Sequence, residues 1–201
     1  DVSSYLVLAI PGNGGSIADV SADVKGSGSN KTITLSGGDP VTSTTQSAFY
    51  GKSVHLDGND DFTCGSGSDY AVGTSDFTAE GWFWFNSVSS SQCLMEWDNN
   101  SSATGSPSGR SDGGQWYFSS GGNKLHWYQN SSTYCDNSVT PPVQTWCHMA
   151  VVVTGGTMKM YIDGEEKSSE SYSLDLGNSD GNLRIGLQGW ARAGFLYLLC
   201  L

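Results

Sequence analysis

An alternation of apolar and polar residues governs what this chain can fold into. It is cleanest in WCHMAVVVTGGTMKMYIDG, residues 146–164. Trp146 to Val153 is rich in β-branched residues, and Gly155-Gly156 supplies a tight turn. Met158, Met160 and Ile162 then alternate with Lys159, Tyr161 and Asp163, and Asp163-Gly164 offers a second turn of the kind that tolerates positive φ. A period of two puts successive side chains on opposite faces of a strand, whereas a helix needs apolar residues every three to four. The segment therefore reads as a meander of antiparallel strands, and no helical period persists for longer than a turn. In FTAEGWFWF (Phe77–Phe85), Ala79, Gly81, Phe83 and Phe85 face one way, and Thr78, Glu80, Trp82 and Trp84 the other. A strand apolar on both faces belongs in the middle of a layered structure or beneath loops. QWYFSSGGNKLHWYQ (Gln115–Gln129) predicts a hairpin turning at Gly121-Gly122-Asn123, and YLVLAI (Tyr5–Ile10) and FLYLLCL (Phe195–Leu201) predict strands at the two ends. The turn-rich intervals 11–31, 99–114 and 168–181 predict loops, the middle one long enough to be functional.

Composition agrees. Of 201 residues 27 are Gly, 14% are charged and 11% are aromatic. Disorder needs the reverse, low hydrophobicity with high charge. The expected class is all-β: one antiparallel two-sheet jelly-roll β-sandwich over residues 1–201. A net charge of −11, with nine Lys and Arg scattered singly, makes nucleic acid and anionic membrane poor partners. No segment has the length to insert in a bilayer, and GFLYLLCL (Gly194–Leu201) is only strand length. The chain starts at Asp1 without a visible signal peptide, which reads as a processed product, an excised domain or part of something longer. Five cysteines (Cys64, Cys93, Cys135, Cys147, Cys200) follow no metal-binding spacing and read mostly as buried thiols, suited to assembly in a reducing cytosol. Asn30, Asn99, Asn100 and Asn130 open sequons that matter only in a secreting eukaryote.

SAFYGKSVHLDGNDDFTCG, DFTAEGWFWF, TWCHMAVVVTGGTMKMYIDGEE and NLRIG occur in that order. Together they resemble the concanavalin A-like laminin-G/pentraxin superfamily. The matching residues are Gly51, Ser53, Asp57 and Gly58, then Phe77, Thr78, Glu80 and Trp82. They continue with Trp146, His148 and Ala150, then Tyr161, Asp163 and Gly164, and finally Ile185 and Gly186. The resemblance spans nearly the whole chain and implies a concanavalin A-like jelly roll with its first and last strands near neighbours. It departs at the end, where Tyr197, Leu198 and Cys200 replace the polar residues such modules carry. Either a partner buries that strand or the tail is unusual.

CLMEWDNN (Cys93–Asn100) raises the question of chemistry. Glu96 and Asp98, two apart on a strand, face the same way about 6.5–7 Å apart at Cα, near the carboxylate spacing of a retaining glycosidase. Glucanases similar to this fold carry E-x-D-x-x-E, but Ser101 stands where the second glutamate belongs. A hydroxyl cannot serve as the proton-donating acid, so catalysis is not expected. The likeness to pentraxins implies calcium at Asp98 and Asn99, with Asp112 able to contribute from the long loop. Asp57, Asp60 and Asp61 are a separate acidic corner, and Asp, Asn and Gly in such places also simply make turns. Calcium wants six to eight oxygens, and GLQGWARAG after Ile185-Gly186 offers Gln188 but no acid. Trp82, Trp84, Trp97, Trp116 and Trp127 sit at strand spacing, where aromatic residues mostly build core. Trp190 lies in a loop, and it, Tyr128 and Asn100 are the carbohydrate-binding candidates. His55 and His126 alternate with apolar neighbours as outward or satisfied strand residues would, His148 matches the family's structural histidine, and no catalytic triad or phosphate loop is present.

Low charge, abundant Ser, Thr, Gly and Asn, and the lack of a catalytic set combine with the resemblance into one expectation. The chain reads as a non-catalytic recognition or adhesion module for a glycan or surface polysaccharide. Its expected setting is a virion surface (tail fibre or capsid decoration) or an extracellular cell surface, beside other assembly subunits or copies of itself. A structural decoration or filament subunit docking through Phe195–Leu201 is the alternative, and a glycoside hydrolase the third.

Overall fold

The computed structural model describes residues 5–38, 40–66, 70–98, 113–130, 132–176, 182–188, 191–192 and 196–199, with backbone alone at Ser66, Asp98, 187–188, 191–192 and 196–199. One helical turn, α1 (Ser21–Lys25), precedes β1 (Thr34–Ser36), β2 (Val41–Ser43), β3 (Ser53–Leu56) and β4 (Asp61–Ser66). Then come β5 (Phe77–Phe85), β6 (Gln92–Asp98), β7 (Gln115–Ser119), β8 (Lys124–Gln129) and β9 (Ser132–Asn137). β10 (Trp146–Thr154), β11 (Thr157–Ile162) and β12 (Glu165–Ser171) form the meander, followed by β13 (Asn182–Ile185), β14 (Leu187–Gln188), β15 (Ala191–Arg192) and β16 (Leu196–Leu199). The first sheet runs β1-β4-β13-β6-β7-β8-β9 and the second β12-β11-β10-β5-β16-β3-β2; β14 and β15 make a separate hairpin. The neighbouring strands pair antiparallel, which gives the expected jelly-roll sandwich.

Turn chemistry sets the meander. Gly155 and Gly156 (φ 55° and 76°) close β10 onto β11, and Asp163 and Gly164 (φ 50° and 78°) close β11 onto β12. Positive φ at both central residues gives the twist that two-residue hairpins require. The core lies between the sheets. Phe62, Ile185, Met95, Trp116 and Trp127 line up in one cross-strand row of the first sheet. Val54, Leu198, Phe83 and Cys147 line up in the second, and Phe83 meets Trp116 edge to face at 5.6 Å. Cys64, Cys93, Cys135 and Cys147 are buried thiols; burial pushes Cys135 up to about 11 and Cys147 up to about 12, so neither ionises near neutrality.

Two readings of the sequence need correction. Tyr5–Ile10 is not a strand. Its backbone is held by the buried Asp19, whose Oδ1 accepts from the N–H groups of Ala9 and Ser21 at 2.9 Å each. Asp19 Oδ2 accepts from Ser21 Oγ at 2.8 Å and from the Lys31 N–H at 2.6 Å. A carboxylate can satisfy backbone donors that lack a neighbouring strand. Residues 168–171, expected in a loop, extend β12, because pairing with β11 continues across a register shift at Met160/Tyr161. The apolar tail is a strand, as predicted, and lies in the interior of its own sheet between β5 and β3. Leu196 pairs opposite Phe85 and Leu56, and Leu198 opposite Phe83 and Val54, four residues with no exposure. Phe195, Cys200 and Leu201 lie outside the described residues.

Candidate functional site

The alternation that sends Met95, Trp116 and Trp127 into the core sends their neighbours to the outer face of the first sheet. There the register lines up Arg184, Glu96, Gln115, Tyr128 and Thr133 across five strands. A second row, one pleat along, pairs Cys93, Tyr117 and His126. Glu96 is wholly buried, and its Oε1 accepts a hydrogen bond from Gln115 Nε2 at 2.7 Å. That donor offsets part of the cost of burying a carboxylate. The β14–β15 hairpin packs against β6, the strand that carries Glu96.

His126 is the least satisfied group on this face. It is 6% exposed, and its ring meets Tyr117 edge to face at 4.1 Å. Nδ1 lies 3.9 Å from Asp136 Oδ1, beyond hydrogen-bond range, and neither ring nitrogen bonds to a described residue. Burial lowers its pKa to about 4, against the upward pull of Asp136, with Lys124 adding to the fall. The imidazole is therefore neutral at pH 7, with one donor and one acceptor. Burial also raises Tyr117 to about 12, which keeps its hydroxyl protonated. Asp136 reaches His126 through a bulge. The β8–β9 register shifts between Leu125 and Trp127, Cys135 takes φ 52°, and its thiol turns inward to donate to the Met158 carbonyl at 3.2 Å. Asp136 is left on the outer face, paired with Lys124.

Tyr128 is half-buried on this face, opposite Gln115 and Thr133. Asp98 ends β6 opposite Asn182, and its side chain is outside the described residues, as are Asn99, Asn100, Ser101, Asp112 and Trp190. Trp97, Trp116 and Trp127 are core residues, as strand spacing implied. His126 lies on the outer face, one half of its expectation, but it is buried there and its nitrogens bond to no described residue. Gln115 and Tyr117 escaped the sequence reading as site residues, although with His126 they alternate with Trp116, Phe118 and Trp127. The signal was the polar half of a hairpin whose other half is mostly apolar.

The acidic corner is a turn. Asp57 Oδ1 accepts from the Asn59 N–H and Asp60 Oδ2 from the Asp57 N–H, both at 2.9 Å, while Asp61 accepts from Ser36 Oγ. Among the described residues no group of three or more His, Cys, Asp or Glu is placed to hold a metal ion. On the second sheet His148 Nε2 sits 3.4 Å from Glu80 Oε2, diagonally across the β5–β10 ladder on the same face. No helix among the described residues is long and apolar enough to cross a membrane.

Two antiparallel seven-stranded sheets around one core, with an outer face mixing hydrogen-bonding groups and aromatic rings, define a lectin-like β-sandwich. The chain belongs to the Laminin_G_3 family, described as the concanavalin A-like lectin/glucanases superfamily, whose model matches residues 56–198. No curated protein matches it in sequence. Among solved structures, domain 4 of AbnA, a GH43 extracellular arabinanase from Geobacillus stearothermophilus in complex with arabinotriose, is 18% identical, with a TM-score of 0.56 over 84% of this chain and 80% of that one. An HCR/D structure is 14% identical with a TM-score of 0.69 over 98% of this chain, which spans 48% of it. Trypanosoma rangeli sialidase is 9% identical with a TM-score of 0.60 over 96% of this chain, which spans 29% of it. At these identities the likeness is one of fold.

Proposed function

We propose that the chain is a non-catalytic glycan-binding module that receives an oligosaccharide at the outer face of the first sheet. The observation that carries this reading is His126, a buried neutral imidazole whose nitrogens bond to no described residue, set among Tyr117, Tyr128 and the Glu96–Gln115 pair. Sugar hydroxyls both donate and accept, which matches imidazole, phenol and carboxamide together, and the apolar ring faces of sugars pack on aromatic side chains. Tyr128 supplies such a ring, with Asn100 and Trp190 as further contacts and Asp98, Asn99 and Asp112 as the candidate calcium ligands. The arabinotriose held by the AbnA domain supports the same class of ligand. Binding without turnover is favoured because Glu96 already accepts from Gln115 and Ser101 stands where a glucanase carries its second glutamate. Placement on a virion or cell surface among other assembly subunits belongs to this proposal and rests on the family resemblance and composition together. A structural decoration or filament subunit docking through its tail stays the alternative; β16 is paired along both edges, so such docking would use its faces.

The test is a glycan array probed with the wild type and with Tyr128→Ala and His126→Ala, each with calcium and again with EDTA. Binding that falls at least tenfold in both variants, with unchanged thermal stability, supports the reading. Full binding in both overturns the assigned face. Sugar release that vanishes in Glu96→Gln overturns the non-catalytic assignment. Loss of binding in EDTA supports a calcium role for Asp98, Asn99 and Asp112, and indifference to EDTA removes it.

A further inference from the structure

The outer face of the second sheet carries a feature that the described residues of the first lack. Trp84 pairs opposite Trp146, and Trp82 opposite His148, so two adjacent cross-strand pairs are made of four rings. Successive same-face residues on a strand lie about 6.4–6.8 Å apart and directly paired ones about 4.5–5.5 Å apart, so the four rings tile one compact block. Trp84 and Trp146 have ring centroids 6.1 Å apart, and Trp82 and His148 5.5 Å apart. Phe49 extends the block, edge-on to Trp82 at 5.1 Å. The four sheet residues are half-buried, while Phe49 is 53% exposed and the adjacent Tyr50 56% exposed. None of the six is needed to fill the sandwich, whose core is built by the opposite face of β5 and β10. Polar groups border the rings: Glu80 beside His148, and Asn86, whose Oδ1 accepts from Trp84 Nε1 at 3.0 Å.

We infer that this aromatic block is a second binding surface, taking a neutral polysaccharide laid across strands β5 and β10. Its chemistry chooses the occupant. A second copy of the chain would bring a net charge of −11 against another −11, with Glu80 on the face and Glu165, Glu166 and Glu170 along the edge strand β12 of the same sheet. An anionic polymer meets the same repulsion. A neutral sugar chain meets none. It offers apolar C–H faces to the indole and phenyl rings and hydroxyls to the carboxylate, carboxamide and imidazole at the border. A block of rings reads a surface or a long chain rather than a single buried sugar, so this site differs in kind from the His126 face. With one site on each sheet, the two faces would act together on one polymer by effective concentration, without new contacts.

The experiment measures retention by particulate cellulose and chitin and electrophoretic retardation by soluble xylan, β-glucan and arabinan. Wild type is compared with Phe49→Ala, Trp84→Ala, their double variant, and Tyr128→Ala as the control on the other sheet. Phe49 is more than half exposed, so its substitution leaves the fold intact and keeps the test independent of Trp84 packing. The expected result is retention by at least one neutral polysaccharide that weakens severalfold in Phe49→Ala and at least tenfold in the double variant. It persists in Tyr128→Ala and is unchanged by 0.5 M salt, on the order expected for an interaction without ion pairs. No retention of wild type by any of the five polymers overturns the proposal. So does retention that the double variant keeps, or self-association of wild type that the double variant abolishes. Failure of the first-sheet site would show separately, as loss of the Tyr128 effect on the array with the aromatic-block effect intact.

Discussion

Gly114 immediately precedes β7 and hands the chain to Gln115, so substituting it tests how tightly the site is framed. A Cβ at Gly114 would sit 2.1 Å from Trp127 Cζ2, 2.8 Å from Trp127 Cε2 and 2.6 Å from Leu176 Cδ1. Carbon atoms at rest are about 3.5–4.0 Å apart, so something must move by more than an ångström. Trp127 is poorly placed to yield. It is fully buried, its indole N–H donates to Gln129 Oε1 at 3.2 Å, and Trp97 and Phe77 press on it at 5.2 and 5.8 Å. Gln129 is fixed in turn by the Tyr172 hydroxyl and by donating to the Asp175 carbonyl at 2.7 Å. The glycine backbone is no freer, since its carbonyl accepts the Trp97 N–H at 2.7 Å. Overpacking of this kind costs about 3 kcal/mol. For a chain of this size that lowers the Tm by about 6–12 °C. The assay is thermal and urea unfolding of Gly114→Ala, Trp127→Phe and the double variant. Replacing indole by phenyl removes Cζ2, the nearest of the three clashing atoms, so the double variant should recover part of the Gly114→Ala loss, a coupling of about 1 kcal/mol. A Gly114→Ala protein within about 0.5 kcal/mol of wild type, or strict additivity in the double variant, would refute the reasoning.

Two further outcomes follow from buried polar groups. Asp19→Ala removes the acceptor for the N–H groups of Ala9, Ser21 and Lys31 and for the Ser21 hydroxyl. Losing these four bonds to one buried carboxylate should cost about 3 kcal/mol and make the segment before α1 the first point of proteolytic cleavage; a urea midpoint equal to wild type would contradict it. His126 titrates near 6.5 when unfolded and near 4 when folded. The unfolded chain therefore binds more protons between these values, so stability is complete above about pH 6.5 and is lost as pH falls toward 4. The loss should reach about 2–3 kcal/mol, and urea midpoints of His126→Phe should lack that part of the pH dependence; an unchanged profile would place the titrating group elsewhere.

Much of the fold was legible because strand pattern and turn chemistry are local. The alternation in Phe77–Phe85 and the positive-φ turns at Gly155-Gly156 and Asp163-Gly164 appear in the structure as written. Tyr5–Ile10 failed because its apolar content fits a strand equally well, while the partner that holds it, Asp19, comes from a loop. The tail looked anomalous because a sequence does not show which strands will flank it. Between β5 and β3, its leucines pair with core residues on both sides.

The site divides in the same way. Glu96 and Tyr128 stood out as residue types, but nothing linear says that Glu96 will bond Gln115 nineteen positions on, or that a bulge at Cys135 will bring Asp136 to His126. Nor does spacing reveal that Trp82 and Trp84 meet His148 and Trp146 across a ladder. The sequence by itself determined the strands, their turns and which side of each strand is apolar, since a period of two and a positive φ act over a few residues. Only the tertiary structure decided which polar sides stand next to one another. Cross-strand register and bulges join residues tens of positions apart, and that joining makes a face able to hold a ligand.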